Sequence, residues 1–327
     1  MLSCQKAQTI EAVQKWIAAT EKKLNTWHMP TTGGYNFAVM WKYDGISCSL
    51  VYQDGVLISA ATRGDGKNGS DLLPHVKMMD SVPQVLLPYF GPGRKCDFRY
   101  EFKGRVEVRG EIVCPVNKLK AMSENYADCR SAASGLCNKN YASSDCKHLV
   151  FLPWAAYIDP NISNSEYLLP MPLYFPWNKM EFLRQIGFEK SAAQNCHGFA
   201  GVKDFIESAE MVREALAYPV DGLVIRVCND NDFYAFGYTD HHPKGRIAYK
   251  FPPAKTQTTV RHIEISIGAT GRRTPVAWFE PVVIGGRTIE KASLGSEDTM
   301  RKLGVTEGSR VEVGLSTDVT PKVYRVI

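Results

Sequence analysis

The chain has 327 residues, 44% of them hydrophobic and 22% charged, which excludes a disordered or low-complexity protein and suits one large or two medium domains. A formal net charge of +5 is compatible with a polyanionic partner without demonstrating one. Nine cysteines without a C-x-x-C pair argue against a zinc knuckle or a disulfide framework; together with no membrane-length apolar run and no signal-like start, they predict a cytoplasmic chain with no membrane contact.

In chain order, Thr9 caps a predicted helix with Ile10, Val13, Ile17 and Leu24 on one side. Tyr35 to Trp41 reads as a short strand. Lys42-Tyr43-Asp44-Gly45 follows it, and a strictly alternating strand, Ile46 to Gln53, comes next. Asp54-Gly55 is a two-residue hairpin turn whose return strand, Val56 to Ala61, ends in the glycine-rich Thr62-Arg63-Gly64-Asp65-Gly66. Residues 91–104 read as a loop. Arg105 to Val113 alternates again, with Val106, Val108 and Ile112 facing one way and Glu107, Arg109 and Glu111 the other. Pro115 suits the first turn of a helix reaching about Asn125.

His148 to Ile158 is an apolar strand carrying Trp154. Helical patterns follow near 178–186 and 201–217, then strands at Asp221 to Cys228 and Arg246 to Phe251. Pro252-Pro253 marks a candidate boundary. Beyond it, short strands at 260–267, 276–284, 309–315 and 320–327, with a small helix at Asp298 to Leu303, predict a five-stranded barrel of the OB type. The expected architecture is α+β: a domain of antiparallel sheets with flanking helices over 1–254, then an all-β barrel over 255–327.

The polar residues that fall on strand faces and loops are Lys42, Asp44, Arg63, Glu111, Arg226 and Lys250. Four cations and two carboxylates over several strands suit a site for a polyphosphate and a metal. Taken alone, Lys42 is equally an exposed lysine before an Asp-Gly turn. Taken alone, Arg109 and Glu111 read more readily as a cross-strand ion pair on a solvated face than as site residues.

The blocks around these residues resemble, in order, the catalytic core of bacterial-type NAD-dependent DNA ligases. Met1-Leu2-Ser3 resembles the opening segment of the adenylation (nucleotidyltransferase) domain, and Lys42-Tyr43-Asp44-Gly45 the nucleophile motif. Ala61 to Gly66, Val108-Arg109-Gly110-Glu111, Arg130 to Gly135, Asp221 to Ile225 and Ala248 to Pro252 resemble the blocks that follow. In the barrel, Thr274 to Ala277, Glu280-Pro281-Val282 and Asp318 to Pro321 continue the likeness. The resemblance covers nearly the whole chain.

It implies a fold, an activity and a set of roles. Lys42 would attack the α-phosphate of NAD+, release nicotinamide mononucleotide and carry AMP as a lysyl-AMP intermediate. AMP would pass to the 5′-phosphate of a nick in duplex DNA, and the 3′-hydroxyl would then seal it, with Mg2+ or Mn2+ present. Lys250 would hold the α-phosphate, and Glu111 the ribose or, through water, the metal, with Asp44 in support. Direct protein ligation of the metal is not implied. Arg63 would lie near the ribose. Trp154 would stack on adenine, and Ser3 and Cys4 would line the other edge of the base. Arg130 and Arg213 would contact the DNA 5′-phosphate or the cofactor phosphates. The barrel, with eleven Lys and Arg against eight Asp and Glu, would hold the duplex through phosphates.

The sequence departs from the family at three places. Met40 stands where a glutamate usually reads the adenine amino group. Arg226 replaces a lysine, and a planar guanidinium is not a point-like ammonium. Asn138 falls where an arginine is common. The segments that grip nicotinamide mononucleotide, and the zinc-finger, helix-hairpin-helix (HhH) and BRCT modules, are not in the sequence. The expectation is a fragment or a split ligase of viral or phage type, in the host cytoplasm if viral, with a second polypeptide supplying NAD use. Two other readings fit parts of the pattern: an ATP-dependent ligase or capping-type nucleotidyltransferase, and a non-catalytic DNA-binding or scaffold subunit.

Overall fold

A computed structural model describes residues 4–29, 34–64, 69–89, 102–158, 176–189, 191–240, 242–252, 255–267, 271, 273–284, 287–316 and 320–327. Ser3, Asp65-Gly66, most of the expected 91–104 loop, Pro253 and Asp318-Val319 lie outside them. The chain divides into two compact units, Met1–Phe251 and Pro252–Ile327.

In the first unit the order is β1 (Gln5–Ala7), α1 (Ile10–Trp27), β2 (Asn36–Tyr43), β3 (Ile46–Gln53), β4 (Val56–Thr62), α2 (Leu73–Val76), β5 (Arg105–Val113), α3 (Cys129–Cys137), β6 (Val150–Ile158), α4 (Pro176–Gln185), β7 (Ala193–His197), α5 (Gly198–Val212), β8 (Val220–Val227), α6 (Asp230–Ala235) and β9 (Arg246–Lys250). Two sheets form. One has the order β1-β9-β8-β2-β7 and the other β4-β3-β5-β6.

Period-two patterning decides which side of each sheet is buried. On β2, Phe37 and Val39 point with Leu223, Ile225, Ile247 and Tyr249 into a core shared with Val13 and Ile17 of α1 and Val202 and Ile206 of α5. On the second sheet, Cys48, Leu50 and Tyr52 of β3 and Val106, Val108 and Ile112 of β5 enter a separate core. It is closed by Ala132 and Leu136 of α3 and Phe182 and Leu183 of α4. The opposite faces of both sheets carry the polar residues.

Thr9 caps α1, its hydroxyl accepting from the Ala12 amide at 3.2 Å. Asp54 (φ 51°) and Gly55 (φ 78°) make the β3–β4 turn left-handed, as an Asp-Gly hairpin requires. The expected helix after Pro115 is instead a 3-10 helix, Val116–Ala121. Its apolar residues Val116, Leu119 and Met122 recur every three positions, and three residues per turn is the 3-10 repeat. The sequence pattern marks none of the short elements β1, α2 and α6, nor α3 and β7. Helix α3 starts at a capping box in which the Asp128 carboxylate accepts from the Ser131 amide at 2.7 Å. Strand β7 is polar because it is an edge strand paired only with β2 among the described strands.

The second unit comprises β10 (Lys255–Ile267), β11 (Arg273–Ile284), β12 (Arg287–Ser293), α7 (Glu297–Leu303), β13 (Arg310–Ser316) and β14 (Thr320–Val326). Its strands close into a barrel in the order β10-β11-β12-β14-β13, the five-stranded OB type. Val260, Phe279, Val311 and Val313 fill it. The fifth strand, β12, is the one the sequence pattern had not placed.

Candidate active site

Lys42 leaves β2 on the face opposite Val39. Across the sheet it pairs with Gly222 of β8, which pairs in turn with Lys250 of β9, so two lysines flank a residue with no side chain. Gly222 is required there, because a Cβ would lie 2.0 Å from the Tyr249 carbonyl oxygen. The β2–β8 register shifts between Lys42 and Tyr43, leaving Asp221 as an extra residue on β8. That bulge re-aims its carboxylate. Asp221 accepts from Lys42 Nζ at 2.6 and 2.7 Å and pairs with Lys250 Nζ at 3.2 Å, with its own side chain only 5% exposed. Two ammonium groups share one recessed carboxylate, so the cluster keeps a net positive charge for an anion.

Asp44-Gly45 then carries the chain from one sheet to the other. The Asp44 amide donates to the Pro219 carbonyl at 2.9 Å. A Cβ on Gly45 would lie 2.1 Å from the Ile112 carbonyl oxygen, so only glycine permits this crossing. Arg130, in the first turn of α3, forms an ion pair with the Asp44 carboxylate. Burial raises the proton affinity of Asp44, against the opposing pull of Arg130.

Glu111 lies across from Ser47, whose hydroxyl donates to Glu111 Oε2 at 2.8 Å. Burial pushes the Glu111 carboxyl up to about 7; the Ser47 hydrogen bond and Lys42 oppose this, and the charge of Asp44 adds to it. A nearby pair is self-contained: Glu107 accepts from Ser49 at 2.6 Å and from Arg109 at 2.7 Å.

A cavity of about 470 Å³ joins Lys42, Asp44, Ser47, Arg63, Glu111 and Arg130, with Thr62, Ser70 and Asn138 also on its wall. The structure therefore brings together five residues singled out in the sequence, and Lys250 reaches them through Asp221. Met40 is on the Lys42 face two residues earlier and is partly exposed. Trp154, on β6, lies under the Arg246 guanidinium at 5.9 Å. Arg226 is not on the cavity wall. It pairs with Asp230 at 2.5 Å and lies 4.2 Å from the Phe233 ring centroid. Arg213 stands over Phe251 at 5.4 Å, and Cys4 is partly exposed just before β1. Asp221 falls within a block of the resemblance that implies no role for it. Its signal was available, as an acidic residue immediately before a glycine on a strand facing two lysine strands.

Chemically, an amine held beside a second lysine, next to a cation-rich cavity, can attack phosphorus while the other cations hold the anion. Among the described residues no group of three or more His, Cys, Asp or Glu side chains is placed to hold a metal directly. Asp44 and Glu111 on the cavity wall suit a cation bridged by water.

Comparison with known proteins gives the same frame. Residues 1–254 match the NAD-dependent DNA ligase adenylation domain and residues 257–327 the NAD-dependent DNA ligase OB-fold domain. The DNA ligase of Chloroherpeton thalassium is 29% identical over 339 residues, covering 100% of this chain and 47% of that protein. For the DNA ligase of Chlorobium phaeovibrioides the figures are 30% over 329 residues, 100% and 47%. For that of Campylobacter hominis they are 32% over 303 residues, 90% and 43%. The chain thus spans about half the length of the curated relatives it matches. With both of its units matched, the chain belongs to the NAD-dependent DNA ligase family, as an adenylation domain followed by an OB-fold barrel.

Proposed function

We propose that the chain is the nucleotidyl-transferring core of a ligase that seals 5′-phosphate/3′-hydroxyl nicks in duplex DNA, using NAD+ as the AMP donor. Residues 1–254 carry the adenylation chemistry and 255–327 the barrel that holds DNA by its phosphates. The observation that carries this reading is the Lys42–Asp221–Lys250 cluster at the edge of a cavity walled by Arg63, Arg130 and Glu111.

Lys42 Nζ attacks the α-phosphorus; the bond to the nicotinamide mononucleotide half breaks, and that half leaves with the electron pair. The ammonium proton must leave first, and Asp221, already its hydrogen-bond acceptor, is the neighbour placed to receive it. Lys250, on the other side of the same carboxylate, meets the charge that develops on the phosphate oxygens. Arg130 and Arg63 then bear on the incoming 5′-phosphate. Arg226 keeps its charge near the nucleotide from its place on Asp230, and Arg213 acts from the edge of the unit. Cys4, partly exposed just before β1, borders the base. A Mg2+ or Mn2+ ion, held through water by Glu111 and Asp44, would neutralise phosphate charge. The protein works in the cytoplasm.

The test is incubation of the purified chain with NAD+ or ATP labelled in the adenylate, followed by a gel that retains covalent label. Label from NAD+ that disappears in Lys42→Ala supports the reading. Label from ATP alone would replace it with an ATP-dependent enzyme. No label, together with no sealing of pre-adenylylated nicked DNA, would leave a DNA-binding or scaffold subunit. Adding a polypeptide with the nicotinamide-mononucleotide-binding and HhH regions of a relative should raise NAD+ use if a second subunit normally supplies them.

A further inference from the structure

We propose that Ser47 is a positioning residue for the acidic wall: its hydroxyl fixes one carboxylate oxygen of Glu111 and leaves the other to meet a bound nucleotide. This rests on the reading above that the cavity at Lys42 takes an adenylate.

Two serines of β3 donate to two glutamates of β5. Ser47 reaches Glu111 Oε2 at 2.8 Å, and Ser49 reaches Glu107 Oε1 at 2.6 Å. The pairs differ in what else the carboxylate touches. Glu107 also accepts from Arg109 at 2.7 Å and is not on the cavity wall. Glu111 is on the wall beside Ser47, and among the described residues Ser47 is its one hydrogen-bond partner. The first glutamate has an ion pair of its own inside the sheet; the second faces the cavity with one anchored oxygen.

Ser47 is itself held on both sides. Strand β3 lies between β4 and β5 in its sheet. Ser47 is directly opposite Glu111 on β5, and its carbonyl accepts from the Arg63 amide just past β4 at 3.2 Å. With the backbone fixed, a serine hydroxyl is placed by a single torsion, whereas a glutamate has three and samples several orientations unless an oxygen is tethered. A hydroxyl donates to a carboxylate and accepts from a carboxyl, so this tether holds in either protonation state of Glu111. The Arg63 contact runs through the main chain and survives replacement of the Ser47 side chain. Removing the hydroxyl therefore frees Glu111 and leaves the start of the glycine-rich turn in place.

Calorimetric titration of the full chain with AMP, in the presence of Mg2+, reads the effect without turnover. Ser47→Ala should weaken AMP about tenfold, the scale of one hydrogen bond to a charged group. Ser47→Thr keeps the hydroxyl and should bind within about twofold of wild type. Ser49→Ala removes the matching contact to Glu107, away from the wall, and should leave AMP binding unchanged. In a Glu111→Ala background nothing is left to position, so Ser47→Ala should change AMP binding by less than about twofold. Equal AMP affinity in wild type and Ser47→Ala would overturn the inference. So would a loss that Ser47→Thr does not restore, or one that persists in full without Glu111. Covalent adenylate on wild-type Lys42 separates the two levels. If wild type takes the label while Ser47→Ala binds AMP as tightly, only the positioning role fails; if wild type neither binds AMP nor takes label, both fail.

Discussion

The two sheets of the first unit share a construction and divide the chemistry. Each buries one face under helices and exposes the other. The five-stranded sheet presents Lys42, Lys250, Arg226 and Arg246, with Asp221 and Asp230 as recessed counter-ions. The four-stranded sheet presents Glu107, Glu111 and Arg109, and its internal Glu107–Arg109 pair leaves Glu111 with Ser47 alone as a hydrogen-bond partner among the described residues. One wall is therefore built to hold anions and the other to hold a proton or a water-bridged cation. A polyphosphate reaction needs both at once.

Substitutions on the two walls should fail in different ways. Lys42→Ala has the largest expected effect: complete loss of covalent adenylate on the gel, with stability changed by no more than about 1 kcal/mol because the lysine is partly exposed and Asp221 keeps Lys250 as its partner. Asp221→Ala removes the carboxylate both lysines share. It should slow single-turnover adenylylation about a hundredfold, the scale of breaking a recessed charge pair. Gly45→Ala tests the junction between the walls; a Cβ 2.1 Å from a carbonyl oxygen should lower unfolding free energy by roughly 3 kcal/mol in denaturant melts.

Glu111→Gln probes the acidic wall through pH. The Glu111 carboxyl is pushed up to about 7 from an ordinary 4.5, so the folded state binds its proton more tightly than the unfolded chain does. Its contribution to stability is full below about pH 4.5, declines as pH rises and is lost above about 7; the total is no more than about 3 kcal/mol. The stability difference between wild type and Glu111→Gln should therefore fall across that window, and a flat difference would mean the carboxyl is not perturbed. Arg130→Ala should be smallest in stability, within about 1 kcal/mol, since its guanidinium is 56% exposed. Its effect should appear in nick sealing instead.

Legibility in the sequence followed the strength of local patterning. Strict alternation marked β3 and β5 and told their polar faces from their buried ones, because one face of each is wholly apolar. The Asp-Gly turn and the Thr9 cap were equally readable, being contacts between near neighbours in the chain. What was not readable depends on distant partners. Strand β7 exists because β2 has an edge for it to pair with, and α3, although its Asp128 cap is local, depends on a core supplied from elsewhere. The cavity residues Lys42, Asp44, Arg63, Glu111 and Arg130 were all named from motifs. Asp221 was not given a role, because its position follows from a bulge, and a one-residue register shift between strands far apart in sequence leaves no local trace. Arg226 was legible as a cation on a strand face, whereas its pairing with Asp230, four residues on, was not.

The glycine at the crossing has a mechanical consequence. Gly45 rests on the backbone of β5 one residue from Glu111, and the neighbouring Asp44 is tied to the segment leading into β8. The two walls are thus bound together beside Lys42, like the pages of a book at its spine. Any opening of the cleft is levered about that spine. Such an opening would widen the gap between Trp154 and Arg246 more than the gap between Lys42 and Glu111, which lies beside the spine.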